Sequence, residues 1–119
     1  MTSLPNSSIF ALNENTYLIH TDSRVFDSQR SMDLRMTVQQ QFEKHLKPFV
    51  IVDLSAVHYM DSFGLAFILS LYRRVQPVAG KVILVGIHAN VEQLIVNTKI
   101  SKILPLAKTV DEALALCGA

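Results

Sequence analysis

Apolar residues along this chain follow two alternating patterns, one typical of strands and one typical of helices. Short apolar runs predict strands at 8–12, 16–21, 49–54 and 81–87, and a shorter one near 103–106. Apolar residues at three- to four-residue spacing predict helices from about 27 to 47, 63 to 76, 91 to 95 and 110 to 117. After an opening hairpin, helices and strands alternate. This order predicts an α/β domain with a mixed, largely parallel sheet and about four helices.

Residues with known helix-capping and helix-breaking preferences mark several element boundaries. Asp27 or Ser28 can cap the first helix, and Pro48 is expected to stop it because proline lacks an N–H group. The apolar stripe of this helix is predicted to comprise Leu34, Val38, Phe42 and Leu46. Thr109 and Glu112 form a capping-box pattern before the last helix. The run 49–52 is apolar throughout, which indicates a strand covered on both faces.

Length and composition indicate one folded domain. The chain has 119 residues, half of them hydrophobic, which is enough for one core and too few for two domains. No internal repeat or linker is evident. We therefore expect a single domain over 1–119, with its core at about 8–117.

Charge and hydropathy argue against several function classes. Eleven basic and ten acidic residues give a net charge of +1, without the dense basic face that direct nucleic-acid binding requires. No apolar run approaches the roughly 18 residues that membrane insertion needs. The first ten residues lack the pattern of a secretion signal, and the one cysteine, Cys117, cannot form an internal disulfide. These features predict a cytoplasmic protein.

Residues that could bind a metal or catalyse a reaction are poorly placed for either role. The four histidines have no ligand-like spacing, although His58 and His88 each follow a predicted strand and could meet at one sheet edge. Ser62 lacks the G-x-S-x-G context of hydrolases, so a catalytic set with His88 has no motif behind it. Glycine-rich phosphate-binding motifs are absent. We therefore expect no metal, no cofactor and no enzymatic activity.

The Asp61-Ser62-Phe63-Gly64 sequence, between a predicted strand and a helix, has two interpretations. Aspartate and serine are both preferred N-caps, so the role can be structural only. Alternatively, the loop lies at the carboxyl end of a central strand, where α/β sheets present functional groups. Ser62 could then be a phosphorylation site, with its phosphate favoured by the helix dipole and adding charge beside Asp61. Gly64 would permit a close backbone approach or an unusual dihedral.

The helix after this loop is apolar around most of its circumference. Its apolar residues are Phe63, Leu65, Ala66, Phe67, Ile68, Leu69 and Leu71. One buried face needs fewer residues than this. Most of the set is expected in the core, while the rest could form an exposed docking patch for another protein.

Nearly the whole chain resembles the STAS domain of bacterial anti-anti-sigma factors. The segments that carry the resemblance are VIVDLSAVHYMDSFGLAFIL and GKVILVGIHANVEQLIVNTKISKILPLAKTVDEALAL. The most specific motifs are the D-S-x-G-L loop, the G-K-V-x-L-V-G strand and the final I-L-P-L…T-x-D-E-A-L. The resemblance implies a single STAS-type domain.

The resemblance also implies a function by partner switching. The unmodified protein would bind an anti-sigma factor that is also a serine-protein kinase, phosphorylation of Ser62 would break the complex, and a metal-dependent serine phosphatase would restore it. Asp61, Ser62, Phe63, Gly64 and Asp27 would contact the partner. The alternative is a non-phosphorylated STAS scaffold or subunit of a signalling or transport complex.

Two positions depart from the family pattern. Phe63 stands where a serine or threonine is common, and a bulky aromatic next to the acceptor can change the choice of kinase or phosphatase. Arg24 stands where a glycine usually precedes the hydrophobic-Asp pair, which is Phe26-Asp27 here. Neither departure is expected to alter the fold.

Overall fold

A computed structural model of the chain describes residues 7–117. The strands are β1 (Ser7–Asn13), β2 (Thr16–Thr21), β3 (Val25–Phe26), β4 (Phe49–Asp53), β5 (Tyr59–Met60), β6 (Lys81–Val85) and β7 (Leu106–Ala107). The α-helices are α1 (Ser28–Lys44), α2 (Ser62–Val75), α3 (Ala89–Asn97) and α4 (Val110–Leu116), and short 3-10 helices cover Gln76–Val78 and Ile100–Lys102. The predicted domain ends, residues 1 and 119, lie outside the described residues. So do the first six of the ten residues that were examined for a secretion signal.

The strands form one large sheet and one very small one. The five-stranded sheet has the order β1-β2-β4-β6-β7, with β1 and β2 antiparallel and every other neighbouring pair parallel. The dipeptide strands β3 and β5 pair in parallel as a separate sheet. The predicted α/β fold, with a mixed and largely parallel sheet, an N-terminal hairpin and four helices, is confirmed.

The main sheet is covered unequally on its two faces. Helices α1, α2 and α3 contribute to the larger core cluster, together with Val50 and Val52 of β4. Helix α4 packs on the other face, where Ile51, Ala113 and Cys117 belong to a second cluster. Val50, Ile51 and Val52 are fully buried, so the prediction that β4 is covered on both faces is confirmed. The loop that follows this strand therefore begins from a segment that is packed on both faces.

Helix α1 ends earlier than the sequence pattern predicts. Leu34, Val38 and Phe42 are buried as expected, but Leu46 lies beyond the helix and is 41% exposed, so its assignment to the apolar stripe is wrong. His45 already has an extended backbone, and its carbonyl accepts a hydrogen bond from the Tyr17 hydroxyl at 2.6 Å. This tertiary contact accompanies the end of the helix at Lys44, four residues before Pro48.

The end of the chain differs in detail from the prediction. Strand β6 stops at Val85 because Gly86 has φ +69°, a conformation that few other residues adopt. Strand β7 begins only at Leu106, after a 3-10 turn, rather than near Ile103. The capping box of α4 is present as predicted, with Thr109 and Glu112 exchanging side-chain to backbone hydrogen bonds. None of the helices within 7–117 is both long enough and apolar enough to cross a membrane.

Candidate functional site

The small β3–β5 sheet positions the loop that carries Asp61 and Ser62. The Arg24 carbonyl accepts hydrogen bonds from the N–H groups of His58 at 2.8 Å and Tyr59 at 3.0 Å. The Asp61 N–H donates to the Phe26 carbonyl at 3.3 Å. The sequence pattern did not predict either dipeptide strand, since two residues are too short for a periodic signal. The pairing of these two strands nevertheless brings the start of α2 next to the start of α1.

Asp61, and not Ser62, is the N-cap of α2. One Asp61 carboxylate oxygen, Oδ1, accepts hydrogen bonds from the N–H groups of Phe63 at 2.9 Å and Gly64 at 3.2 Å. Ser62 is the first helical residue and its side chain is exposed. Within the described residues its hydroxyl has no hydrogen-bond partner. Because the Asp61 carboxylate already accepts the N–H groups of the first turn, the cap does not use the Ser62 hydroxyl.

Gly64 allows the first turn of α2 to lie against the small sheet. A Cβ atom at this position would lie 2.7 Å from the Phe26 carbonyl oxygen and 2.8 Å from Cγ of Met60. Of the two reasons proposed for this glycine, the close approach is the one observed, because its φ is not in the left-handed region. Beneath this turn, the Phe26 ring contacts Phe67 of α2 at 5.7 Å between centroids.

Asp27 has the same role in α1 that Asp61 has in α2. It is the N-cap, and its carboxylate accepts from the Arg30 N–H at 3.2 Å. Val25 pairs with Tyr59 and Phe26 with Met60, so Asp27 and Asp61 follow equivalent positions of two adjacent parallel strands. The structure thus places Asp27 beside Asp61, Ser62, Phe63 and Gly64 at one edge.

Several apolar side chains near Ser62 are exposed. Phe63 is 58% exposed and Tyr59 is 57% exposed, and Val25, the strand partner of Tyr59, is 41% exposed. Of the apolar set on α2, Leu65, Phe67, Ile68 and Leu71 are buried, while Phe63 and Ala66 are exposed. The patch that the sequence suggested is therefore small on α2 itself. Val25 and Tyr59 add exposed apolar surface next to it because β3 pairs with β5.

His58 and His88 meet at this edge, as predicted. Their rings stack with centroids 4.1 Å apart and an angle of 23° between planes. Nε2 of His88 lies 2.6 Å from the Ser55 carbonyl, so this nitrogen carries a proton and donates it. Desolvation and the charges of His88 and Arg24 lower the pKa of His58. Within the described residues His88 makes no hydrogen bond to Ser62, and its side-chain hydrogen bond goes to the Ser55 carbonyl.

A second histidine cluster lies at the carboxyl ends of β2 and β4. His20 contacts Asp53 through Nδ1 at 3.1 Å and Asp22 through Nε2 at 2.6 Å. Both nitrogens can donate only when the ring is charged. Partial burial opposes this, but the two hydrogen bonds and the carboxylate charges outweigh it and raise the pKa of His20. Desolvation of Asp53 is likewise outweighed by hydrogen bonds with Ser55 and His20, which lower its pKa.

Metal-ligating residues do not converge within 7–117. No group of three or more histidine, cysteine, aspartate or glutamate side chains in this range has the geometry to hold a metal ion. Cys117 is buried, and burial raises the pKa of its thiol despite the nearby charge of Lys81. The Ser62 loop itself presents an exposed hydroxyl next to the Asp61 carboxylate.

Comparison with known proteins identifies a family and a group of similar structures. A family model for the STAS domain matches residues 10–113. The anti-sigma factor antagonist SpoIIAA in its unphosphorylated form is 19% identical with a TM-score of 0.82, and the match covers 95% of this chain and 97% of that chain. The structure of Bacillus SpoIIAA in its phosphorylated form also matches, with 18% identity, a TM-score of 0.73, and coverage of 92% of this chain and 96% of that chain.

Two further structures show the range of proteins that share this fold. An anti-sigma factor antagonist from Mycobacterium paratuberculosis is 21% identical with a TM-score of 0.80, and the match covers 99% of this chain and 100% of that chain. The murine anion transporter Slc26a9 is 15% identical with a TM-score of 0.74, and the match covers 98% of this chain but 23% of the transporter. At sequence identities this low, the structural similarity shows that these proteins share the fold of this chain.

The assignment of the cap to Asp61 predicts different effects for two neighbouring substitutions. Asp61→Ala should lower the free energy of unfolding by about 1 kcal/mol because two N–H groups lose their acceptor. Ser62→Ala should change it by less than about 0.5 kcal/mol. Chemical denaturation of both variants measures the difference, and a larger loss for Ser62→Ala would show that the serine is the cap.

The close packing at Gly64 predicts that a single added methyl group destabilises the domain. Gly64→Ala should lower the free energy of unfolding by about 1–3 kcal/mol, because Cβ would overlap the Phe26 carbonyl. Helix propensity alone would favour alanine by about 1 kcal/mol. A variant that is more stable than the wild type in urea denaturation would therefore contradict the packing account.

The pKa values of His20 and His58 should differ from the ordinary histidine value of 6.5 in opposite directions. By NMR, His20 should titrate above this value and His58 below it. His88→Gln should raise the pKa of His58, whereas His45→Gln, at the far end of α1, should leave it unchanged. An unchanged His58 pKa in the His88→Gln variant would show that His88 does not contribute to the lowered pKa of His58.

The raised pKa of His20 also fixes the sign of its effect on stability. The charged ring is favoured in the folded state, so its contribution is complete below the unfolded pKa and is lost as pH rises through the higher folded value. His20→Gln should therefore destabilise the protein more at a pH of about 5.5 than at about 8.5. Urea denaturation at both values measures this, and an equal loss at both would contradict the assignment.

Proposed function

This chain belongs to the STAS domain family, and on that basis we propose that it is a phosphorylation-controlled anti-sigma factor antagonist. It binds an anti-sigma factor that is also a serine-protein kinase, and Ser62 is the phosphate acceptor. A metal-dependent serine phosphatase removes the phosphate. In this scheme the protein is a cytoplasmic binding module and a substrate, and the catalysis belongs to its partners.

The availability of the Ser62 hydroxyl is the observation that carries this proposal. Asp61 accepts the N–H groups of the first turn, so Ser62 is exposed and its hydroxyl makes no hydrogen bond to any described residue. Phosphorylation would not remove a cap or break a buried contact. A phosphate at the first helical residue would also lie at the positive end of the α2 dipole, where negative charge is favoured.

The surroundings of Ser62 explain why a phosphate would change partner binding more than folding. Val25, Tyr59 and Phe63 offer exposed apolar surface to a partner. A phosphate on Ser62 adds a charge of about −1.5 to −2 near neutral pH, and Asp61 is already negative. A partner surface that buries these apolar side chains would have to desolvate the phosphate or match it with cations. The modification therefore disfavours the complex.

Phe63 and Asp27 have supporting roles in this proposal. Phe63 directly follows the acceptor and is exposed, so a kinase or phosphatase that reaches Ser62 must also accommodate an aromatic ring. Asp27 caps α1 on the adjacent strand and adds a carboxylate to the same surface. Gly64 contributes through its packing, since its backbone sets how closely the first turn of α2 approaches Phe26.

A STAS scaffold or transporter subunit is the second candidate function. The likeness to one part of an anion transporter favours it, since a STAS fold there belongs to a much longer chain. In that case Ser62 would not be modified by an active cognate kinase. Incubation with an active cognate serine kinase and ATP, followed by mass spectrometry to locate any phosphate, distinguishes the two functions.

The switch predicts opposite behaviour for two substitutions of the same residue. Ser62→Ala should bind the anti-sigma factor with an affinity within about twofold of the wild type. Ser62→Asp should bind at least about tenfold more weakly, which corresponds to about 1.4 kcal/mol. Isothermal titration calorimetry of each variant with the anti-sigma factor measures both affinities.

A charge control on another surface makes this test specific. Gln40→Glu adds one negative charge on an exposed residue in the second half of α1 and should leave the affinity unchanged. Equal affinities for Ser62→Ala and Ser62→Asp would reject the switch. An equal loss for Gln40→Glu and Ser62→Asp would show a general charge effect.

A further inference from the structure

An open crevice lies at the carboxyl ends of β6 and β7. These strands are parallel neighbours, but the helices that follow them pack on opposite faces of the sheet. Val91 and Ile95 of α3 belong to the larger core cluster, whereas Ala113 of α4 belongs to the second one. The chain therefore leaves the two strands in opposite directions. In α/β sheets, divergent connections of this kind leave a crevice that can bind a small ligand.

The crevice has the size and the lining of a small-molecule site. Its volume is about 820 Å³, within the range of about 300–1,000 Å³ that is usual for ligand pockets. The apolar part of its lining comprises Ile87, Leu106, Ala107, Ala115 and Leu116. Leu116 is 43% exposed, so a ligand with an apolar body would cover surface that water otherwise contacts.

Two side chains of opposite charge also line the crevice. Glu92 is on α3, and Lys108 lies between β7 and α4. Neither side chain makes a hydrogen bond or an ion pair with any residue in 7–117, and they are not paired with each other. Glu112, the third charged lining residue, is engaged, because its Oε2 accepts the N–H groups of Lys108 at 2.9 Å and Thr109 at 3.2 Å.

We propose that this crevice binds a free α-amino acid with a large apolar side chain. Such a molecule carries both charges near neutral pH. Its carboxylate pairs with the Lys108 ammonium group, its own ammonium group pairs with the Glu92 carboxylate, and its side chain lies on Leu106 and Leu116. Hydrogen bonds between charged groups are stronger than those between neutral groups. The inference is independent of the proposed function, since it involves neither Ser62 nor a phosphate.

The arrangement of charges also discriminates against related ligands. A purely anionic ligand would lie near two carboxylates, those of Glu92 and Glu112, and like charges repel. The end of a peptide chain carries only one of the two charges, so it would leave either Glu92 or Lys108 without a partner. A small amino acid such as glycine would leave the apolar lining in contact with water.

A titration followed by NMR tests the proposal on the intact protein. L-Phenylalanine is added to isotope-labelled protein, and its ring shifts the signals of nearby amides. We expect saturable changes at Ile87, Leu106, Lys108 and Leu116. Phenylalaninamide, which lacks the carboxylate, and N-acetylphenylalanine, which lacks the ammonium group, should each bind at least about tenfold more weakly, because each loses a charged hydrogen bond. Glycine should also bind at least about tenfold more weakly.

Two substitutions separate the roles of the two charges. Glu92→Gln should weaken the binding of phenylalanine at least about tenfold and leave that of N-acetylphenylalanine unchanged. Lys108→Gln should weaken the binding of phenylalanine equally and leave that of phenylalaninamide unchanged. Glu43→Gln is the matched control, because it removes a carboxylate from an exposed residue in the last turn of α1 and should leave every affinity unchanged. Thermal unfolding should be the same for the three variants and the wild type.

Several results would overturn the proposal. Unchanged amide signals around the crevice at the solubility limit of phenylalanine would show that no amino acid of this class binds there. Equal or tighter binding of N-acetylphenylalanine would indicate a site for the carboxyl end of a peptide, and equal or tighter binding of phenylalaninamide a site for the amino end. An equal loss of affinity in Glu43→Gln and Glu92→Gln would reduce the role of Glu92 to a general effect of charge.

Discussion

The carboxylate of Asp61 holds the start of α2, and the features of the surrounding edge depend on this interaction. One oxygen accepts the N–H groups of Phe63 and Gly64, so the helix begins without help from the serine between them. A helix start leaves several N–H groups without partners, and one of the neighbouring residues must satisfy them. Because the aspartate does so, the serine hydroxyl makes no hydrogen bond to any residue within 7–117, while the serine backbone belongs to the first helical turn.

The second constraint is the close contact between α2 and the small sheet. The backbone of Gly64 lies where a side chain would overlap the Phe26 carbonyl and Met60. The same small sheet carries Asp27 into α1, so two capped helices start side by side. Around them lie exposed apolar side chains, negative carboxylates and the stacked His58–His88 pair. In the proposed function, a change of charge on this surface alters its recognition by a partner, while the buried core behind it is unaffected.

Most of the architecture could be predicted from the sequence because its core elements have clear periodicity. The fully apolar run of β4 indicated a strand covered on both faces, and its three central residues are indeed fully buried. Boundaries were harder where a tertiary contact intervenes. Leu46 fits the apolar stripe of α1 by spacing, yet the chain leaves the helix at His45, whose carbonyl binds the Tyr17 hydroxyl. Spacing along the chain carries no information about a strand 28 residues away.

At the candidate site, the sequence by itself determined the residue types: an aspartate, a serine and a glycine at a strand-to-helix junction, with histidines after two strands. It left open whether Asp61 or Ser62 caps the helix, since both side chains accept such bonds. Only the tertiary structure decided this, and only it paired Val25 with Tyr59 and Phe26 with Met60. The physical reason is that capping and exposure depend on three-dimensional geometry, whereas local preference depends on neighbours in the chain.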